Sequence, residues 1–84
     1  MVLPEQPVTL TVEQLAALNR ELADMRHDVN NHLSLVLAAV ELIRAKPQMT
    51  ERMIDTLLEQ PQKITLAMQK YSGEFEKACG IKRH

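Results

Sequence analysis

Arg44-Ala45-Lys46-Pro47-Gln48-Met49-Thr50-Glu51 separates two long apolar stripes in this 84-residue chain, and its reading decides the fold. Proline cannot donate a backbone hydrogen bond and disfavours helical backbone in the residue before it, so Pro47 ends any helix that precedes it. Thr50 is a candidate N-cap for a second helix. Glu51 falls where the helix dipole favours an acid, and Met49 and Ile54 can form a hydrophobic staple. Ala45 to Met49 then reads as a short connection.

Upstream of it, Leu15, Leu18, Leu22, Met25, Val29, Leu33, Val36, Val40 and Ile43 follow one another at steps of 3, 4, 3, 4, 4, 3, 4 and 3. That is helical periodicity throughout. The paired fours at Met25–Val29–Leu33 resemble a stutter, which locally relaxes a left-handed supercoil. Downstream, Ile54, Leu57, Pro61, Ile64, Met68, Tyr71, Phe75 and Ala78 alternate steps of 3 and 4 in an unbroken heptad pattern. Pro61 lies inside it and predicts a kink or break near Gln60.

The outer ends are also marked. Thr11 and Gln14 have the spacing of a capping box, with Leu10 and Leu15 placed as a staple. Pro4 and Pro7 make residues 1–10 an extended arm. Gly80 is a natural residue to follow a helix C-terminus, and residues 81–84 are expected to fray. The chain therefore reads as an arm, a helix over about 11–46, a helix over about 50–79 and a short tail. Two long amphipathic helices joined by a few residues predict an all-α, antiparallel two-helix hairpin, its first helix about 50 Å long at 1.5 Å per residue. Such a hairpin leaves half of each apolar stripe exposed. A twofold dimer closing a four-helix bundle is the simplest remedy.

Composition narrows the function. Cys79 is the lone cysteine, so no intramolecular disulfide is possible, and it reads as a small core or rim residue with a redox role as the alternative. A net charge of −1 gives no electrostatic case for nucleic acid or an anionic membrane. The aromatics Tyr71 and Phe75 make no base-stacking platform and fit the second helix's core. Met25, Met49, Met53 and Met68 read as gap-filling core residues. The opening residues have no basic segment followed by a long apolar run, and a cytoplasmic location is the default expectation. Gly73 weakens a helix interior without an evident reason beyond close packing.

Chemistry concentrates in His27-Asp28-Val29-Asn30-Asn31. With Met25 and Val29 on the apolar stripe, His27 falls on the outer face. At 100° per residue, Arg20, Asp24, Asn31 and Ser34 lie within roughly 60° of it, and Asn30 lies as far on the other side. Placement alone favours an ordinary solvated histidine. The neighbours tilt the reading. A neutral imidazole nitrogen can attack phosphorus, and an acid can orient the ring: Asp28 is adjacent, although successive helix residues do not face each other well, and Asp24, three residues earlier, is the alternative. The ordinary alternative for Asp24 is an i,i+4 pair with Arg20. Asn31, one turn on, can place a water or a phosphoryl oxygen. Two adjacent asparagines inside a long helix cost stability, which favours a functional reading.

Arg26-His27-Asp28-Val29-Asn30-Asn31-His32-Leu33 resembles the H-box of two-component sensor histidine kinases, in the variant H-D-x-N-N-x-L. In that family the motif lies on the first helix of a dimerisation and histidine-phosphotransfer hairpin, and the resemblance covers roughly residues 15–79. It implies that His27 accepts the phosphoryl group, that Asp28 activates it, and that Asn31 orients water for phosphatase action on a partner receiver. It assigns no role to Asn30. His32 departs from the variant's apolar residue and is expected near the rim of the stripe. Asp28 and His32 form an i,i+4 pair, but two ligands do not make a metal site and no third is evident.

With Gly73 and Gly80 as its only glycines, the chain lacks the family's ATP-binding motifs. It is expected to be a phosphoacceptor without a kinase domain, whether an excised fragment or, as its starting methionine and capped helix start suggest, a natural small protein. The expected function is phosphoryl relay at His27. The partners would be a second copy and a response-regulator receiver or a histidine kinase. No cofactor is expected on this chain, the Mg²⁺ coming with the receiver. The rival readings are a non-catalytic dimeric scaffold and a plain coiled coil.

Overall fold

The computed structural model describes residues 2–81. Two α-helices carry the chain: α1 over Val12–Ala45 and α2 over Thr50–Cys79, joined by Lys46 and a single 3₁₀ turn, Pro47–Met49. The 58 Å long axis is close to the length of α1 alone, about 51 Å for 34 residues at 1.5 Å each, so α2 lies beside α1 and not beyond it. No helix among the described residues is long and apolar enough to cross a membrane.

The helix ends follow local chemistry. The Thr11 hydroxyl accepts from the Gln14 backbone N–H at 3.0 Å, and the Gln14 amide oxygen accepts from Thr11 N–H at 2.8 Å, so both halves of the capping box form. The expected cap at Thr50 does not form. Thr50 is already helical, and its hydroxyl donates to the Pro47 carbonyl at 2.6 Å, closing the 3₁₀ turn; Met49 occupies the cap position without a side-chain bond. Gly80 adopts φ +70°, and Ile81 N–H reaches back to the Glu76 carbonyl at 2.8 Å. This is the left-handed glycine terminus. Ile81 is half-buried. The expectation for residues 82–84 lies outside the described residues. Residues 3–10 are without helix, and Pro4 Cγ comes within 4.0 Å of where a Gly80 Cβ would stand, so the arm passes the end of α2. A Cβ at Gly73 would meet nothing within 4 Å, so close packing inside the chain does not explain that glycine.

The seam between the helices differs from the stripes that hydropathy marks. In α1 the covered positions Leu18, Leu22, Met25, Val29, His32, Val36, Ala39 and Ile43 step 4, 3, 4, 3, 4, 3, 4, and Ala17 and Glu21 are half-buried beside them. In α2 the facing positions are Met53, Leu57, Gln60, Ile64, Ala67 and Tyr71, with Thr50, Thr56, Ser72, Glu76, Ala78 and Cys79 also half-buried. His32 replaces Leu33, Ala39 replaces Val40, and Met53, Gln60 and Ala67 replace Ile54, Pro61 and Met68. Among the described residues the buried side chains are Leu18, Ala39 and Gln60, while Leu33, Val40, Ile54, Met68 and Phe75 remain exposed. Phe75 is therefore not a core residue of the chain; its ring stands 6.3 Å from that of half-buried Tyr71.

α2 runs through Pro61 without a break. Proline there removes one backbone donor and sits on the outer side of the helix, where its ring is exposed. Gln60, one residue earlier, turns inward. Its Nε2 donates to the Thr56 carbonyl at 3.0 Å, and its Oε1 lies 2.8 Å from His32 Nδ1. An amide oxygen only accepts, so His32 carries its proton on Nδ1 and donates it to Gln60. A buried polar group is tolerable because every partner is supplied. Gln60→Leu is expected to cost about 1–3 kcal/mol by leaving His32 Nδ1–H without an acceptor. Denaturant unfolding followed by circular dichroism at fixed protein concentration measures it; an unchanged midpoint would show the bond to contribute nothing.

Candidate functional site

His27 sits past the first third of α1, exposed, with its side chain nearly opposite the covered seam. α1 continues for several turns on both sides of the imidazole. The Asn31 side-chain amide nitrogen lies 3.5 Å from His27 Nδ1, a long hydrogen bond between residues one turn apart. With Asn31 donating, His27 holds its proton on Nε2. The two ends of the amide are nearly alike in shape, and a half-turn of it presents Oδ1 instead. Oδ1 would accept from Nδ1–H and leave the lone pair on Nε2. Asn31 can thus select which imidazole nitrogen is nucleophilic.

Among the described residues, neither Asp28 nor Asp24 hydrogen-bonds His27, although both are exposed on the same flank. Successive helix residues point about 100° apart, so Asp28 reaches the ring only by a change of rotamer. The Arg20–Asp24 pair is not formed either, whereas Glu59 and Lys63 on α2 approach to 3.6 Å. Asp24 and Asp28 instead edge a groove of about 270 Å³ between the helices, which Arg20 shares from α1 and Lys70, Tyr71 and Glu74 share from α2. The groove mixes carboxylates with two cations over an apolar floor. Asn30 lies on the opposite flank of His27.

His32, expected at the rim, belongs to the covered seam and points away from His27. Its imidazole is committed to Gln60, so the Asp28–His32 spacing brings no shared ligand pair together. Among the described residues no group of three His, Cys, Asp or Glu is placed to hold a metal ion. Cys79 is a free, half-buried thiol. Gln60 was the residue that sequence reasoning passed over. The signal was available: a polar residue beside each apolar stripe, His32 and Gln60, each one position before its hydrophobic member.

In comparisons with known proteins, no family model, no curated protein and no solved structure matches this chain.

Proposed function

We propose that the chain is an antiparallel helical hairpin that dimerises into a four-helix bundle and works as a histidine phosphotransfer module of two-component signalling. The observation that carries the reading is His27. It projects outward from a 34-residue helix and has the Asn31 amide at its Nδ1, and its neighbours Asp24 and Asp28 edge a charged interhelical groove. In the reaction, the His27 Nε2 lone pair attacks the phosphorus of an aspartyl phosphate on a receiver. A P–N bond forms, the acyl P–O bond breaks, and the receiver's aspartate leaves as carboxylate. The Nδ1 proton stays on the ring, held by Asn31 Oδ1 or by Asp28. The reverse steps return the group. The receiver would bring the Mg²⁺, so this chain contributes a positioned nucleophile and a docking face. The groove beside Asp24 and Asp28 is the docking face.

The dimer rests on an asymmetry between the two flanks of the hairpin. One flank carries Glu21, Asp24 and Asp28 with Lys63, Lys70 and Lys77, with the exposed Leu35 and Leu42 among these charges. The other carries Leu33, Leu37 and Val40 with Ile54, Leu58, Pro61 and Met68, all exposed. A chain whose fully buried apolar side chains are Leu18 and Ala39 has too small a core to be comfortable alone. A second copy on the apolar flank supplies the missing core with twofold symmetry.

The test is transfer. Receiver domains phosphorylated by a small-molecule donor are mixed with the protein, and acid-labile phosphate on this chain supports relay. Loss of receiver phosphate without label on the chain would point to phosphatase action, for which Asn31→Ala is expected to reduce the rate by about 10²-fold through loss of water positioning. The missing hydrogen bond between His27 and either acid favours a second reading, a dimeric scaffold that binds a receiver or kinase without transfer. A chain that dimerises and binds a receiver but takes no label would establish it.

A further inference from the structure

The apolar residues offer this chain two seams, and the covered one is the less hydrophobic. Both use Leu22, Val29, Val36 and Ile43 on α1 and Leu57, Ile64 and Tyr71 on α2. They differ in the flanking column. The structure fills that column with His32, Ala39, Met53, Gln60 and Ala67, while Leu33, Val40, Ile54, Pro61 and Met68 stay exposed one residue further on. Moving from one column to the other rotates a helix face by about 50°. In α1 the alternatives diverge only after Val29, because Leu18 and Met25 serve both. The joint therefore falls in the turn Asn30-Asn31-His32, just past His27, where two asparagines weaken the helix.

Burial of apolar surface alone would choose the column of Leu33, Val40, Ile54 and Met68. What the covered column has instead is a polar bridge between the helices. Gln60 is 2% exposed, its Nε2 is fixed on Thr56, and its Oε1 takes the His32 Nδ1 proton at 2.8 Å. Rotation into the other column would break that bridge. We propose that the His32–Gln60 hydrogen bond is a rotational lock, which holds the lower half of α1 in the less apolar seam and so reserves Leu33, Val40, Ile54 and Met68 for a surface outside the hairpin. A single buried polar pair that fixes register at some cost in stability is an established device of helical bundles. The lock does not depend on phosphotransfer at His27. If His27 does react, the lock sets the angle between it and the half of the bundle beyond it.

The test places a reporter at Ala39, which is 2% exposed in the locked seam and turns outward in the other. In a Cys79→Ser background, Ala39→Cys is labelled with a thiol reagent in three full-length versions. With His32 and Gln60 intact the thiol is protected. With His32→Ala and Gln60→Ala the bridge is gone without added apolar bulk, and labelling is expected to accelerate about tenfold or more while helicity is retained. With His32→Leu and Gln60→Leu two large apolar side chains take the place of the bridge in the covered column, and protection is expected to persist. Protection in the alanine pair equal to that of the intact bridge would overturn the lock, as would exposure in the leucine pair. Should the alanine pair lose its helicity, ring ¹⁵N shifts of the unsubstituted protein decide. His32 in the Nδ1–H form, lost on Gln60→Ala, supports the lock; a population protonated on Nε2 alone excludes it.

Discussion

Leu33→Asp is expected to dissociate the protein, and with dissociation to lose most of its cooperative unfolding at micromolar concentration. Leu33 is 51% exposed in the single chain, so its replacement removes little from the packing of α1 on α2. Its place on the proposed dimer flank is what makes the substitution costly. Burying a leucine side chain contributes about 1.5–3 kcal/mol, and a carboxylate at the same place adds several more in desolvation. Twofold symmetry applies the change twice. At 1.4 kcal/mol per tenfold, the dimer dissociation constant would rise by roughly three orders of magnitude or more. Leu35 provides the control. It is 47% exposed but projects from the charged flank, so Leu35→Asp is expected to leave the dimer intact. Light scattering coupled to gel filtration, with melting followed across a concentration series, reads both variants. Dissociation of both would move the interface to the other flank or spread it over both. Dissociation of neither would remove the bundle.

His27→Ala is expected to abolish acquisition of acid-labile phosphate from a phosphorylated receiver and to leave folding unchanged. Loss is complete because no other residue at the site offers a comparable nucleophile: His32 is committed to Gln60, and Asn31 and the neighbouring acids cannot form a phosphoramidate. Folding is unaffected because His27 is exposed and its bond to Asn31 is long, so the stability change should fall within about 0.5 kcal/mol, with alanine's higher helix propensity acting in the stabilising direction. Label persisting on the variant would place phosphorylation elsewhere, and His32 could then be tested in the same way. A loss of dimerisation in the variant would mean that His27 is structural.

The placement of His27 and Asn31 was legible in the sequence. Helical spacing from Met25 and Val29 puts His27 outward and Asn31 next to it, and the contact between them follows. The role expected of Asp28 was less legible. Adjacency in sequence suggested an orienting acid, but adjacent helix residues diverge, and Asp28 faces the groove with Asp24. The groove is a product of two helices, and no pattern along either one announces it.

The ends of the elements were decided by the sequence itself. Thr11 with Gln14, Pro47 and Gly80 act through bonds and torsions within a few residues, and such effects survive in any tertiary context. The all-helical class followed equally from apolar spacing near 3.6 residues. Which of two overlapping stripes would be covered was settled only in the tertiary structure. Leu33 and His32, Val40 and Ala39, Met68 and Ala67 differ by one residue, and periodicity cannot separate faces that share every Leu22, Val29 and Ile64. Hydropathy pointed to the larger side chains. The covered column holds the smaller Ala39 and Ala67 together with His32 and Gln60, whose 2.8 Å hydrogen bond exists only once the two helices are paired.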